Sequence, residues 1–231
     1  MDAPFSIDLA PPFLVVAFQR EQRVLSWSIL RPGMQMARRV VWLEVRNRDL
    51  PCDVDPMNVI RARVSAAALD DAVVLVTSRD IGSYRQAHVS VEGSAAWCVT
   101  TLGLSNSERV GVRLHQPPPF AGTINTLVHI GEALSEPAMI EALSIATEAR
   151  TAAVLDAEVR RGGHIVTGTG TDCIAIAAPT GEPAARYAGK HTAIGEVIGA
   201  AVYKATADAI SDWKRDCADL RDAMEAKTAS A

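Results

Sequence analysis

Short β-type runs fill the first half of this chain and two long helical patterns fill the second, and that segregation narrows the possible folds most. Phe13–Phe18 and Arg23–Ile29 are apolar, β-branched runs separated by polar Gln19–Gln22, which predicts a hairpin. Arg39–Val45 predicts a third strand, and Val73–Thr77 a buried one. Between them Asp55–Leu69 predicts a helix, with Asp55 as N-cap and Pro56 at the first helical position. His88–Glu92 and Ala96–Leu104 predict a strand pair, and Gln116–Pro119 breaks any regular element, because proline cannot continue a helix or a central strand. Beyond the break come a strand at Thr123–Ile130, a helix at Glu136–Glu158 capped by Ser135, a strand at Ile174–Ala178 and a last helix from Thr192. The first long helix is expected to bury Ile140, Leu143, Thr147, Thr151 and Val154. The last is expected to bury a broad stripe from Ile194 to Trp213.

Strands early and helices late predict an α+β chain: mixed, largely antiparallel β-sheets packed with long helices, in a single domain over 1–231, with a multi-layer αββα arrangement as one form it can take. Residues 1–12 and 227–231 are expected to be poorly ordered.

Composition removes several function classes. A chain of 231 residues with a net charge of −4 lacks the basic stripe of a nucleic-acid-binding domain, and 5% aromatic content supplies few stacking platforms. Cys52, Cys98, Cys173 and Cys217 form no C-x-x-C pair, so small buried apolar side chains are expected rather than a disulfide or zinc framework. The beginning lacks a basic stretch followed by an apolar one, and no apolar run reaches the length of a membrane span, so a cytoplasmic location is expected.

Motif searches leave four polar segments. His88, His115, His129, His164 and His191 include no i, i+4 pair for a metal, and there is no G-x-S-x-G elbow. Gly189-Lys190-His191-Thr192 lacks both the first glycine and the Ser/Thr of a phosphate loop. Thr167-Gly168-Thr169-Gly170-Thr171-Asp172 gathers three hydroxyls and a carboxylate on a glycine-relaxed backbone, either an anion or carbonyl cradle or a plain polar turn. Tyr187–Thr192 ahead of Gly195-Glu196 places a cation, an imidazole and a hydroxyl at a helix start, either a ligand site or an ordinary cap. Gly195 and Gly199 inside a helix signal close packing, by another helix or by a ligand. Gly122–Thr126 is a polar-tipped strand. Glu148 and Thr151 are helix-surface neighbours, where a carboxylate becomes a base if buried and otherwise stays a solvated flank.

Taken in chain order, Gly122–Asn125, Ala146–Ala153, Thr167–Asp172 and Tyr187–Thr192 with Gly195-Glu196 resemble the adenosylcobinamide amidohydrolases of corrinoid salvage, most closely the bacterial branch. Val45-Arg46-Asn47 with Asp49-Leu50-Pro51, Leu75–Gly82 and Gly103–Asn106 extend the resemblance over most of the chain. Ile29-Leu30-Arg31-Pro32-Gly33 departs from the glycine pair expected of archaeal relatives, and a changed corrinoid preference follows if that loop shapes the substrate mouth.

The resemblance implies hydrolysis of the amide joining a corrin propionyl arm to aminopropanol, giving adenosylcobyric acid and 1-aminopropan-2-ol, with pseudocobalamin as a further substrate of bacterial members. It implies no cofactor and no protein metal site, since cobalt arrives with the corrinoid. The expected partner is that small molecule, with no nucleic acid and no membrane, while a homo-oligomer stays open.

On the residues, Asp172 or Glu148 is expected to activate water. His191 or Lys190 is expected to protonate the amine, and Thr169 or Thr171 is an alternative nucleophile. Thr123, Asn125, Thr151, Gly168, Gly170 and Gly189 are expected at the substrate, with Trp27, Trp42 and Tyr187 as walls. Two other readings remain: a corrinoid-binding protein without hydrolysis, and a Thr-dependent amidohydrolase of another amide.

Overall fold

The computed structural model describes residues 3–46, 49, 53–113 and 122–218. The Gln116–Pro119 break, Cys52, His115, part of the 45–51 motif and the 227–231 tail lie outside the described residues. In chain order the elements are β1 (Phe5–Ala10), β2 (Phe13–Ser26), β3 (Gly33–Glu44), α1 (Pro56–Ala66), β4 (Val73–Thr77), β5 (Arg85–Val91) and β6 (Ser94–Leu102). There follow β7 (Ser107–Glu108), β8 (Ile124–Ile130), α2 (Glu136–Asp156), β9 (Arg160–Arg161), β10 (His164–Ile165), β11 (Gly168–Thr169), β12 (Cys173–Pro179) and α3 (Ala193–Asp216).

Eight strands form one sheet in the order β4-β3-β2-β12-β8-β6-β5, with β1 on β2. Only β3·β4 and β8·β12 run parallel. Inward and outward side chains alternate along β12: Ile174, Ile176 and Ala178 face the helices, whereas Cys173, Ala175 and Ala177 face the first-half strands. The same alternation in β6 and β8 leaves those strands buried on both sides. One core lies between α2, α3 and the β12-β8-β6-β5 half, and a second between that half and β1–β4. A third joins Val41, Leu43 and Val74 to Ile60 and Val64 of α1. The layers are therefore the helix pair, the two facing halves of the one sheet, and α1. The chain is α+β with a mixed, largely antiparallel sheet, in the αββα form.

Each helix starts at its expected cap: Asp55 accepts from Met57 N, Ser135 from Ala138 N and Thr192 from Gly195 N. The α3 stripe is buried as its periodicity requires, through Ile194, Val197, Ile198, Ala201, Val202 and on to Trp213.

Three expectations are corrected. Gln19–Gln22 is no hairpin: β2 runs unbroken from Phe13 to Ser26, and its pairing with β3 shifts register between Ala17 and Gln22. The polar residues mark an irregularity that lets one strand pair with β1 at its start and β12 at its end. Residues 5–10 are an ordered strand rather than a loose start. Finally, α2 buries Ala138, Met139, Ala142, Ile145, Ala146 and Ala153, while Ile140 is 57% exposed. Small residues on that face let α2 and α3 approach closely, which larger side chains would prevent.

Cys98 and Cys173 are buried, with burial pushing the Cys173 thiol up to about 12, while Cys217 is half-buried beside Arg79. His129 sits in the inter-sheet core with ring centroids 5.6 to 6.0 Å from Phe18, Trp97 and Phe5, and neither ring nitrogen has a hydrogen-bond partner. Burial lowers its pKa to about 4 from 6.5. The unfolded chain therefore binds more protons between those values, and folding weakens as pH falls through that window. This histidine alone is expected to remove roughly 3 kcal/mol of stability between pH 7 and pH 4. Urea unfolding at both pH values should show that loss in the parent protein and a correspondingly smaller one in His129→Phe. Equal losses would contradict the assignment.

Candidate functional site

The turn between β11 and β12 carries the polar cluster. β11 pairs with β7, Gly168 opposite Glu108 and Thr169 opposite Ser107, so the segment enters as a short anchored strand. Thr167 reinforces this: its N–H donates to Glu108 O at 2.9 Å and its Oγ1 accepts from Val110 N at 2.8 Å. The chain then turns through Gly170 and Thr171 to Asp172, at the start of β12 and beside the start of β8.

Asp172 is the centre of the turn. Its Oδ1 accepts from Ile124 N at 2.9 Å and from Thr169 Oγ1 at 2.5 Å. Its Oδ2 accepts from Thr169 N at 2.9 Å and lies 3.2 Å from Arg150 Nη1 of α2. The Trp27 indole N–H donates to its main-chain oxygen at 2.7 Å. Burial raises the carboxyl's pKa, while the Arg150 guanidinium and the bonds from Thr169 and Ile124 oppose that rise. Around it, Thr123 Oγ1 donates to Thr171 O at 2.8 Å and Thr171 Oγ1 to Gly122 O at 3.2 Å, stitching the turn to the strand ahead of β8. Asn125 is buried and donates its amide to Val76 O at 2.8 Å, tying β8 to β4.

Two clefts flank this turn and share Gly170 and Asp172. The larger, about 720 Å³, is walled by charged and hydroxyl side chains, among them Arg109, Arg113, Glu148, Arg150, Thr151 and Thr169. The other, about 470 Å³, has apolar walls from Trp27, Ile29, Leu75 and Val76, with Thr123, Asn125 and Thr171 among its polar groups. Ile29 comes from the loop expected to shape the mouth. The turn is thus a ridge with hydroxyls on both slopes, between a charged trough and an apolar one.

The structure brings together Asp172, Thr169, Thr171, Gly168, Gly170, Thr123, Asn125, Trp27, Thr151 and Glu148 around the ridge. Glu148 is exposed and ion-paired to Lys190, so the burial that would make it a base is missing. Four placements correct the expectations. Trp42 is fully buried between the halves of the sheet and lines neither of these clefts, because its position in β3 faces inward. Tyr187 lines a separate hollow with Ser135 and Pro137 at the start of α2. His191 is exposed and lines neither cleft. Gly189 lines neither cleft; its carbonyl accepts from Thr192 Oγ1, and a Cβ on Gly195 would overlap that oxygen. Main chain, not ligand, is what requires glycine at 195.

Sequence reasoning missed Arg150. It is 8% exposed within the Ala146–Ala153 segment, and an arginine on the buried face of an alanine-rich helix was the available signal. Among the described residues no group of three or more His, Cys, Asp or Glu is placed to hold a metal ion, and no helix is long and apolar enough to cross a membrane.

A methyl group on Gly168 would sit 2.5 Å from Asp172 Oδ2. That oxygen is already held by two donors, so it cannot move without breaking them. Gly168→Ala is expected to cost roughly 1–3 kcal/mol of stability, as overpacking does. Chemical denaturation checks this, and an unchanged midpoint would mean that the turn is looser than described.

The sequence model of the adenosylcobinamide amidohydrolases (CbiZ) matches residues 5–218. The chain is also similar to the uncharacterized protein MJ1613 of Methanocaldococcus jannaschii, 34% identical over 97 residues, which are 41% of this chain and 38% of that protein. The match thus spans well under half of that relative's length. A crystal structure of the PH0078 protein from Pyrococcus horikoshii OT3 aligns over 86% of this chain and 77% of its own, with a TM-score of 0.44 and 9% identity. The family match reaches from β1 through the end of α3 and includes the whole ridge, and the chain belongs to the adenosylcobinamide amidohydrolase family.

Proposed function

We propose that the protein hydrolyses the amide between a corrin propionyl arm and aminopropanol, releasing adenosylcobyric acid and 1-aminopropan-2-ol. One observation carries the residue assignment: the Thr169 hydroxyl donates to Asp172 at 2.5 Å on the ridge between the clefts. A hydroxyl hydrogen-bonded to a fixed carboxylate is the arrangement an activated nucleophile needs. The apolar trough suits the corrin body, and the hydroxyl and amide groups of Thr123, Asn125 and Thr171 suit its amide fringe.

The steps balance without an external reagent other than water. Thr169 Oγ1 attacks the amide carbon as its proton passes to Asp172, forming a C–O bond and a tetrahedral oxyanion. The Thr171 N–H, which donates to Thr169 Oγ1 at 3.4 Å in the resting site, is the donor that turns to that oxyanion once the Oγ1–C bond forms. Asp172 then returns the proton to the leaving nitrogen, the C–N bond breaks, and a Thr169 ester remains. Water attacks the ester carbon as Asp172 takes its proton, the carbon–Oγ1 bond breaks, and Asp172 passes that proton to Thr169 Oγ1, which frees the acid and restores the threonine. Lys190, which pairs with Glu148 at the rim of the charged cleft, takes no part in proton transfer. Cobalt belongs to the substrate, and no resident cofactor enters the reaction. A pseudocobalamin, which carries the same amide, is a further substrate on this reading.

Incubation with adenosylcobinamide and chromatography of the corrinoids should show adenosylcobyric acid, with 1-aminopropan-2-ol in equal amount. Thr169→Ala should lower kcat at least about 1000-fold, as nucleophile removal does, and Thr169→Ser should keep measurable turnover. Tight binding with no amine released would instead make this a corrinoid-binding protein. Near-normal turnover in Thr169→Ala with loss in Glu148→Gln would transfer the chemistry to water activated by Glu148.

A further inference from the structure

Arg150 stands out among the charged side chains of the charged cleft because α2 places it on the helix's buried face, where every other buried side chain is apolar. Burying a guanidinium costs several kcal/mol unless a countercharge compensates it. Here the compensation is one oxygen of Asp172, at 3.2 Å, and the Nε of the same guanidinium has no partner. The pair is thus a single contact, not a two-bond fork, so the arginine depends on that one carboxylate and not on a network. The dependence is mutual. Asp172 has three further donors, all of them neutral: Thr169 N, Thr169 Oγ1 and Ile124 N.

We propose that Arg150 is a positioning residue of the hydrolase: from inside α2 it holds Asp172 ionised and turned toward the Thr169 hydroxyl. The inference rests on the function proposed above. Other charges on the cleft wall are Glu108, Arg109, Arg113 and Glu148, the last neutralised by Lys190. Arg109 donates to Ile165 O at 3.0 Å, away from Asp172. From β12 the Cys173 thiol follows Asp172 directly and is held neutral by burial. From β2's end Trp27 contributes a neutral N–H to the main chain. Arg150 is therefore the one cation among the described residues in contact with the carboxylate. Burial works against an ionised Asp172, and among the groups that oppose burial the guanidinium comes first, ahead of the neutral donors Thr169 and Ile124.

Three full-length variants test this: Arg150→Met, Arg150→Lys and Arg150→Met with Asp172→Asn. In the parent protein the acid-side limb of the kcat/KM profile for adenosylcobinamide reports ionisation of the base. Arg150→Met should move that limb upward by about one pH unit or more, since removing a neighbouring cation raises a carboxyl's pKa. Arg150→Lys should bring it part of the way back. A merely structural arginine would lower the rate without moving the limb, and a limb at the parent pH in Arg150→Met would overturn the proposal. The second arm needs no substrate. The double variant, which removes both charges, should melt higher than Arg150→Met alone, and should regain cooperative unfolding if the single variant lacks it. A double variant no more stable than Arg150→Met would overturn the charge pairing. Absence of turnover in the parent protein, with the stability arm behaving as expected, would reject the hydrolase reading and leave the pair intact.

Discussion

A buried carboxylate with three hydrogen-bond donors and one guanidinium around it organises this molecule. Asp172 draws together β8 through Ile124 N, β11 through Thr169 and α2 through Arg150, while its own carbonyl receives the Trp27 indole N–H. Elements from both halves of the chain thus meet at one residue. A carboxylate in so dry a place is unstable unless each lone pair is answered, and leaving any donor unmatched costs about as much as a lost buried hydrogen bond. The layers fold so that these donors converge, and the same convergence leaves a ridge with a cleft on each side.

The αββα layering explains why the ridge is rigid. Strands β6, β8 and β12 are covered on both faces, so their ends are fixed by two cores at once. The turn from β11 to β12 emerges from that fixed end, and the close approach of Gly168 to Asp172 lets it do so without a side chain intervening. Catalytic groups on turns anchored to rigid strands keep their geometry while remaining reachable from solvent. Placing the apolar trough on one slope and the charged trough on the other gives the ridge two chemically different neighbours. A substrate with an apolar ring and a polar arm fits that contrast.

Much of the fold was legible because the local rules agreed with each other. Asp55, Ser135 and Thr192 cap the helices they were expected to cap, and the α3 stripe is a helical period of apolar residues facing one core. The illegible parts are those where tertiary context reversed a local signal. Gln19–Gln22 has turn composition, yet β3 on one side and β1 and β12 on the other carry the strand straight through it. In α2 small residues dominate the buried face, so the large residue Ile140 pointed to the wrong one, while Leu143 packs at its edge and Val154 lies within it. The site was legible as a set of segments but not as contacts. Trp42 and Tyr187 are aromatic like a cleft wall should be, but one faces the core and the other a different hollow. Periodicity cannot reveal that Arg150 and Asp172 meet, because their pairing depends on how α2 crosses the β11–β12 turn.

A crystal structure of the Thr169→Ala variant with adenosylcobinamide bound would locate the scissile amide on the ridge. The carbonyl carbon of the aminopropanol-bearing arm is expected above the ridge, about 3–3.5 Å from where the Thr169 hydroxyl would reach, with the corrin over the trough walled by Trp27 and Ile29. An arm amide seated away from the 168–172 turn, beside Glu148 or outside both clefts, would contradict it.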